Sequence, residues 1–148
     1  MPSKPIIGPT VGLLRRLGAI AYDSLLLIPL WMLAEVPLLA IPEAAHHWPL
    51  TRHLIQVYLL IVACGFFSWF WCHGGQTLGM RAWRIKLVSP DGSAVSPKQA
   101  IIRCGAAILS WTFLGLGYLW SLVDQNGLTW HDRISKTRLL FMPKDRSK

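Results

Sequence analysis

Charged side chains are scarce in this sequence, and the shortage excludes an ordinary soluble domain. They make up 15% of the 148 residues, whereas soluble globular domains carry about 25%. Apolar residues make up 53%, and eight residues are tryptophan. The length fits a single domain. Together these features indicate that lipid surrounds much of the chain.

Cysteine is scarce as well, which excludes the disulfide framework of a small secreted protein. Cys64 and Cys72 lie in one apolar run, and Cys104 lies near the start of another. Free cysteines in such runs behave as small buried apolar side chains. We therefore interpret all three as packing residues.

The sequence also lacks the motifs of the common enzyme classes. It contains no recognisable serine, histidine and acid constellation, no phosphate-binding glycine loop and no established metal-ligand spacing. The histidines of residues 42–53 fit a solvent-exposed loop, and His131 beside Asp132 fits a basic tail that docks on lipid headgroups. We expect a protein that is not an enzyme and that needs no cofactor or metal.

Three apolar runs are long enough to cross ~30 Å of hydrocarbon at about 1.5 Å per residue. The predicted spans cover about residues 17–41, 54–72 and 101–123. No convincing cleavage site follows the first run, so we expect it to be retained as a span. Gly115 and Gly117 weaken the third segment in its middle. The predicted fold is an all-α membrane protein with two full transmembrane helices and a third apolar segment, a helical hairpin or a re-entrant pair.

The basic residues decide the predicted topology. Of fifteen lysines and arginines, three precede Leu17, one lies between the first two spans, five lie from Arg81 to Arg103, and six follow Asp124. An even number of crossings, or two crossings plus a re-entrant hairpin, places fourteen of them on one side, as the positive-inside rule requires. We expect a multi-pass protein of a bacterial inner membrane with both termini in the cytoplasm. The net charge of +8 would then face anionic lipid headgroups, and no nucleic acid is expected as a partner.

Two short apolar stretches flank the last predicted span. Residues 85–88 alternate with basic residues and can pair with residues 139–142 as a cytoplasmic two-stranded β element. Alternatively, the second stretch anchors at the membrane interface without pairing. The predicted domain organisation is a cytoplasmic tail at 1–11, a membrane domain at 12–142 and a basic cytoplasmic tail at 143–148.

Asp23 lies inside the first apolar run, where an ionisable side chain is costly and marks a functional site or a buried partner. Arg16 is seven residues earlier, about 10 Å away along a helix, which is too far for a direct pair within it. Asp23 must therefore find a donor on another segment, carry a proton or reach water in a cavity.

Three separated blocks carry a likeness to a known family. The block RRLGAIAYD contains Arg16 and Asp23, and the block GGQTLGMRAWRIKLVSPDG is followed by Arg103. The block WHDRISKTRLL contains Asp132, for which Asp124 is a competitor as the second signature aspartate. In order and spacing these blocks resemble the RDD family of small multi-pass membrane proteins, named for one arginine and two aspartates. The resemblance covers essentially the whole chain.

The resemblance implies transport of an unidentified ligand as the suspected role. In one hypothesis Arg16, Arg103 and Asp132 converge from the cytoplasmic side on Asp23, which exchanges a proton, a small ion or a ligand. In the other, the same four residues form a buried ionic lock. The protein would then be a non-catalytic structural or assembly partner of itself or of another membrane protein.

Overall fold

The computed structural model of the protein describes residues 11–113 and 115–143. The two predicted terminal tails therefore lie outside the described residues, apart from one residue of each. The described chain is mostly helical, with two long apolar helices, a bent third pair and a small two-stranded sheet. The predicted fold class is confirmed.

The first two membrane helices are long and apolar enough to span a bilayer. Helix α1 (Leu13–Glu35) runs on as a 3₁₀ turn (Val36–Ala40), in which Pro37 cannot donate a helical hydrogen bond. A short helix α2 (Glu43–His46) leads to helix α3 (Pro49–Cys72). Helix α3 begins with a proline, which suits the first position of a helix because an N–H there has no partner within the helix. Both long helices begin several residues before the predicted spans.

A bent pair of helices forms the third apolar segment. After helix α4 (Leu78–Ala82) and strand β1 (Ile85–Val88), helix α5 (Pro97–Thr112) meets the short helix α6 (Leu116–Leu119) and its following 3₁₀ turn at an angle of 107°. Gly115 lies at the bend with φ +77°, a left-handed conformation that glycine adopts without a Cβ penalty. The segment therefore turns at the glycines that the sequence indicated.

The last two elements are helix α7 (Trp130–Ile134) and strand β2 (Arg138–Phe141). Strand β2 pairs antiparallel with β1, and Leu87 lies opposite Leu139. Of the two alternatives for this stretch, the paired strand is the one that the structure contains. Pairing brings the end of the chain back to the segment that follows α3.

A small apolar core lies where α1 begins, α3 ends and α5 begins. Trp71 and Cys72, at the end of α3, pack against it. The three helix ends therefore meet at one end of the bundle, where the sheet covers them. The buried core residues are Val11, Ala19, Met80, Ile85, Leu87, Val95, Ala100 and Leu139.

Candidate functional site: an ionic lock, a carboxylate and a cavity

A buried ionic lock, formed by Arg16, Arg103 and Asp132, joins α1, α5 and α7. Asp132 Oδ2 accepts a hydrogen bond from Arg16 Nη1 at 2.6 Å, and Asp132 Oδ1 accepts one from Arg103 Nη1 at 2.6 Å. The aspartate side chain is fully buried, and both arginine side chains are nearly so. Tertiary folding thus brings together three of the residues that the sequence singled out.

The local sequence around α7 orients the aspartate. Thr129 caps the helix, and its Oγ1 accepts a hydrogen bond from the Asp132 N–H at 3.3 Å. In return, the Thr129 N–H donates to Asp132 Oδ2 at 3.1 Å. This capping box holds a carboxylate at the helix N-terminus, where the helix dipole also favours negative charge.

Further oxygen atoms hold the two arginines. Arg16 donates from Nε to the Val11 carbonyl at 3.1 Å and from Nη2 to the Gly127 carbonyl at 2.9 Å. Arg103 Nη1 also donates to Thr137 Oγ1 at 2.7 Å. All three nitrogens of the Arg16 guanidinium therefore donate hydrogen bonds. Among the described residues, Arg103 donates hydrogen bonds from Nη1 alone.

The charges of the lock do not cancel. Burial alone would raise the pKa of Asp132, but the guanidinium groups of Arg103 and Arg16 outweigh burial and hold that pKa below its ordinary value. The carboxylate is therefore ionised and contributes one negative charge. Because two guanidinium groups face this one carboxylate, the lock carries a net formal charge of +1.

His131 lies beside the lock and is itself buried. Its ring centroid lies 4.6 Å from that of Tyr118, and its Nδ1 has no hydrogen-bond partner among the described residues. Burial and then the charge of Arg103 lower the pKa of His131 to about 3. The imidazole is therefore neutral at physiological pH.

We expect the protein to lose stability as the pH falls from 6.5 toward 3, the window between the ordinary and the folded pKa of His131. In this window the unfolded chain binds a proton that the folded protein does not, so the free energy of unfolding falls by roughly 1.4 kcal/mol per pH unit. His131→Phe removes the titration and is expected to flatten this slope. Thermal unfolding in detergent over this pH range measures it.

The matched control for this prediction is His47→Gln, which changes an exposed histidine. Its side chain is solvated in the folded and the unfolded state, so the variant should keep the wild-type dependence on pH. A His131→Phe protein with the wild-type slope would contradict the prediction.

Asp23 is bound separately from the lock. Thr77 Oγ1 donates to Asp23 Oδ2 at 2.5 Å, and the Gly79 N–H donates to Asp23 Oδ1 at 2.8 Å. Thr77 also caps α4 by accepting a hydrogen bond from the Met80 N–H at 3.1 Å. Asp23 forms no ion pair with any residue in 11–113 or 115–143. Neutral donors at the start of α4 therefore hold the carboxylate.

Asp124, the other candidate signature aspartate, lies outside both arrangements. It accepts hydrogen bonds from the backbone N–H groups of Asn126 at 3.1 Å and Leu128 at 2.9 Å, and it pairs with Arg133. The bond from Leu128 and the pair with Arg133 hold the pKa of Asp124 below its ordinary value. Asp124 thus orders the turn before α7.

A cavity of about 360 Å³ connects the polar groups with the membrane helices α1, α3 and α5. Arg16, Arg103, His131, Asp23 and Thr77 line its polar part. The remaining wall is mostly apolar and includes Leu27, Trp31, Leu60, Phe67 and Trp111. In the part of the chain that the structure describes, no group of three or more histidine, cysteine, aspartate or glutamate side chains could hold a metal ion. The arrangement is suited to an ion or an organic ligand.

Sequence reasoning missed three contributors to this site. Thr77 and Gly79 lie in the block GGQTLGMRAWRIKLVSPDG, which did not mark them as partners of Asp23, although a threonine before a short helix is a recognisable cap. His131 was assigned to an exposed basic tail, but its ring is buried. No local signal in the sequence marks a buried histidine, because burial depends on packing against distant helices.

Comparison with known proteins places this arrangement in a family. A model of the RDD family matches residues 10–136. Neither a curated protein nor a solved structure matches the chain. The match covers most of the chain, including the lock, Asp23 and the cavity-lining helices. The chain therefore belongs to the RDD family of membrane proteins.

Proposed function

We propose that this protein binds a small ion or ligand in its cavity and moves it across the membrane, with Asp23 as the exchanging carboxylate. The observation that carries this proposal is that Asp23 lines the cavity and is held by two neutral donors. A carboxylate within a membrane helix is expensive and commonly marks an ion or proton pathway. Without a fixed cation beside it, Asp23 can take up a proton or a small cation.

The lock supports a role for Asp23 that is separate from that of Asp132. Asp132 already binds both arginines, and Asp23 forms an ion pair with neither of them. A lock that fixes α1, α5 and α7 would keep one end of the cavity rigid. The transport step would then take place at Asp23, farther along α1, while Asp132 stays bound to both arginines.

The proposed orientation places both termini in the cytoplasm of a bacterial inner membrane. The start of α1, the end of α3 and the start of α5 gather at one end of the bundle, which agrees with an antiparallel helix arrangement. Most of the basic residues lie in segments at that end, so the positive-inside rule favours the cytoplasm for it. Those residues would contact anionic headgroups of the bilayer.

Flux measurements on the purified protein test the transport proposal. The full chain is reconstituted in vesicles that contain a pH-sensitive dye, and gradients of sodium, potassium or lithium are applied in turn. We expect at least one gradient to change the internal pH. Asp23→Asn removes the exchangeable charge and should reduce the signal to that of protein-free vesicles, with membrane abundance close to wild type.

Glu35→Gln is the matched control, because Glu35 is an exposed carboxylate at the end of the same helix. It should transport as the wild type does. Undiminished flux in Asp23→Asn would contradict the role of Asp23. If no gradient produced a signal with the wild-type protein, the transport proposal would fail.

The second candidate is a structural or assembly role. The complete burial of Asp132 between two arginines favours it, because buried charges satisfied by each other are a common structural device. In that case Asp23→Asn would lower membrane abundance, since the carboxylate would serve to pack α1 against α4. Chemical cross-linking in native membranes would then reveal self-association or a second membrane protein.

A further inference from the structure

The cavity is long and narrow. Its lining residues on α1 run from Arg16 through Asp23 and Leu27 to Trp31, all on one face, which corresponds to about 22 Å along the helix axis. A volume of about 360 Å³ holds roughly a dozen groups the size of a water molecule. These dimensions suit an extended chain better than a compact ring system.

One end of the cavity has unused hydrogen-bond donors. Arg103 donates only from Nη1, to Asp132 and Thr137, although a guanidinium has about five N–H groups. Its Nε and Nη2 therefore make no hydrogen bond to residues 11–113 or 115–143, yet Arg103 lines the cavity. The buried His131 lines the same part of the cavity. Arg103 therefore keeps N–H donors that a ligand in the cavity can use.

The charge at this end favours an anion. The lock carries a net charge of +1, and His131 is neutral. Asp23 lies about 10 Å farther along α1, and both of its carboxylate oxygens accept hydrogen bonds from α4 and its cap. An anionic oxygen group can bind a guanidinium through two parallel hydrogen bonds, and Arg103 has the free donors to provide them.

The opposite end of the cavity reaches the membrane-facing surface. Trp31, Leu60 and Ile108 line the cavity there and are 37%, 42% and 36% exposed. An apolar molecule in the bilayer could therefore enter between the helices without crossing water. Such a route suits a ligand that already resides in lipid.

We propose that the cavity binds a single-chain amphiphile with an anionic oxygen headgroup. The headgroup accepts hydrogen bonds from Arg103 and contacts His131, and the alkyl chain extends along Leu27 toward Trp31. This inference rests on the cavity being a ligand site, as proposed above, but not on ion exchange at Asp23.

Equilibrium binding to the full-length protein in phosphatidylcholine nanodiscs tests the proposal, with empty nanodiscs subtracted. Dodecanoate and dodecyl phosphate supply the two kinds of headgroup, dodecanol supplies the chain without charge, and acetate supplies a headgroup without the chain. We expect saturable binding of at least one of the two anionic amphiphiles, and much weaker binding of dodecanol and acetate. Across shorter carboxylates, the affinity should rise by up to about fourfold for each added methylene.

A pair of variants on α3 tests where the chain lies. Ala63→Phe places a large ring in the cavity, whereas Ile61→Phe places the same ring on the exposed side of the helix, where Ile61 is 64% exposed. The first variant should lose binding and the second should retain it. Wild-type binding by Ala63→Phe, or equal binding of dodecanol and dodecanoate by the unaltered protein, would overturn the proposal.

The ion-flux experiment and the amphiphile-binding experiment can fail independently of each other. Ion flux that depends on Asp23, together with no binding of either anionic amphiphile, would overturn this inference and leave the transport proposal standing. Saturable dodecanoate binding without flux under any gradient would support this inference and overturn ion transport. The headgroup series uses the unaltered protein, so its result does not depend on whether a variant folds.

Discussion

Asp132→Asn is expected to remove most of the protein from the membrane. The change keeps the shape of the side chain but removes the negative charge that Arg16 and Arg103 share, both of which are buried. Removing one partner of a buried ion pair costs about 3–5 kcal/mol. Native proteins are stable by only about 5–15 kcal/mol, so we expect little folded protein to remain.

Membrane abundance and the thermal unfolding midpoint in detergent measure this effect. Asp91→Asn is the control, because Asp91 is an exposed carboxylate that accepts hydrogen bonds from Ser93 in its own turn. It should leave both quantities unchanged. Normal abundance and a wild-type midpoint for Asp132→Asn would show that the lock does not stabilise the fold.

A double variant separates the charge of the lock from its packing. Adding Arg16→Gln to Asp132→Asn removes one of the two uncompensated cations, so the pair should be less destabilised than the sum of the single variants. Coupling energies between contacting residues are commonly about 0.5–3 kcal/mol. Strictly additive effects would indicate that Arg16 and Asp132 do not interact in the folded protein.

Gly79→Ala is expected to be the second most damaging substitution. A Cβ at this position would collide with the backbone carbonyl oxygen of Ala19 and would lie 2.8 Å from the Asp23 carboxylate carbon. Backbone atoms cannot rotate away, so α4 must move and the hydrogen bond from Gly79 to Asp23 must lengthen. Overpacking costs about 1–3 kcal/mol, and a lost bond to a charged group costs about 1.5–3 kcal/mol.

Gly105→Ala provides the comparison for this prediction. Gly105 lies within α5, and an added Cβ there would have no atom from another part of residues 11–113 or 115–143 within 4 Å. Alanine favours a helix by up to about 1 kcal/mol over glycine, so this variant should unfold at the wild-type temperature or above it. Thermal unfolding of the two purified variants in the same detergent measures the difference. Equal midpoints would show that α1 and α4 are not packed as closely as the structure has them.

The ionic lock shows how far sequence reasoning reached. Arg16, Arg103 and Asp132 were candidates because charges near apolar runs are conspicuous, and the family pattern pointed to the same positions. The sequence could not predict which arginine pairs with which aspartate, because it gives the positions of the four charged residues but not the distances between them in the fold. The structure places Asp132 in the lock and holds Asp23 apart, with Thr77 and Gly79 as its donors.

The third apolar segment shows a similar limit. Gly115 and Gly117 indicated a break, and a bend occurs there. The sequence did not show that the bend would be followed by helix α7. His131 of this helix lines the cavity, and Asp132 is the carboxylate of the lock. Such contacts depend on how far the chain turns back, and the angle at a glycine bend is set by the packing of its neighbours.

The sequence alone determined that this is a membrane protein with two apolar spans, a third apolar segment weakened by glycines and a short strand at residues 85–88, whereas it left open whether residues 139–142 pair with that strand. Span length, charge distribution and turn residues are local properties, so they can be evaluated without knowing the contacts. Only the tertiary structure decided which charges neutralise each other, which carboxylate borders the cavity and which histidine is buried. Those outcomes depend on side chains from helices far apart in the chain, and the low polarity between the helices makes each pairing energetically decisive.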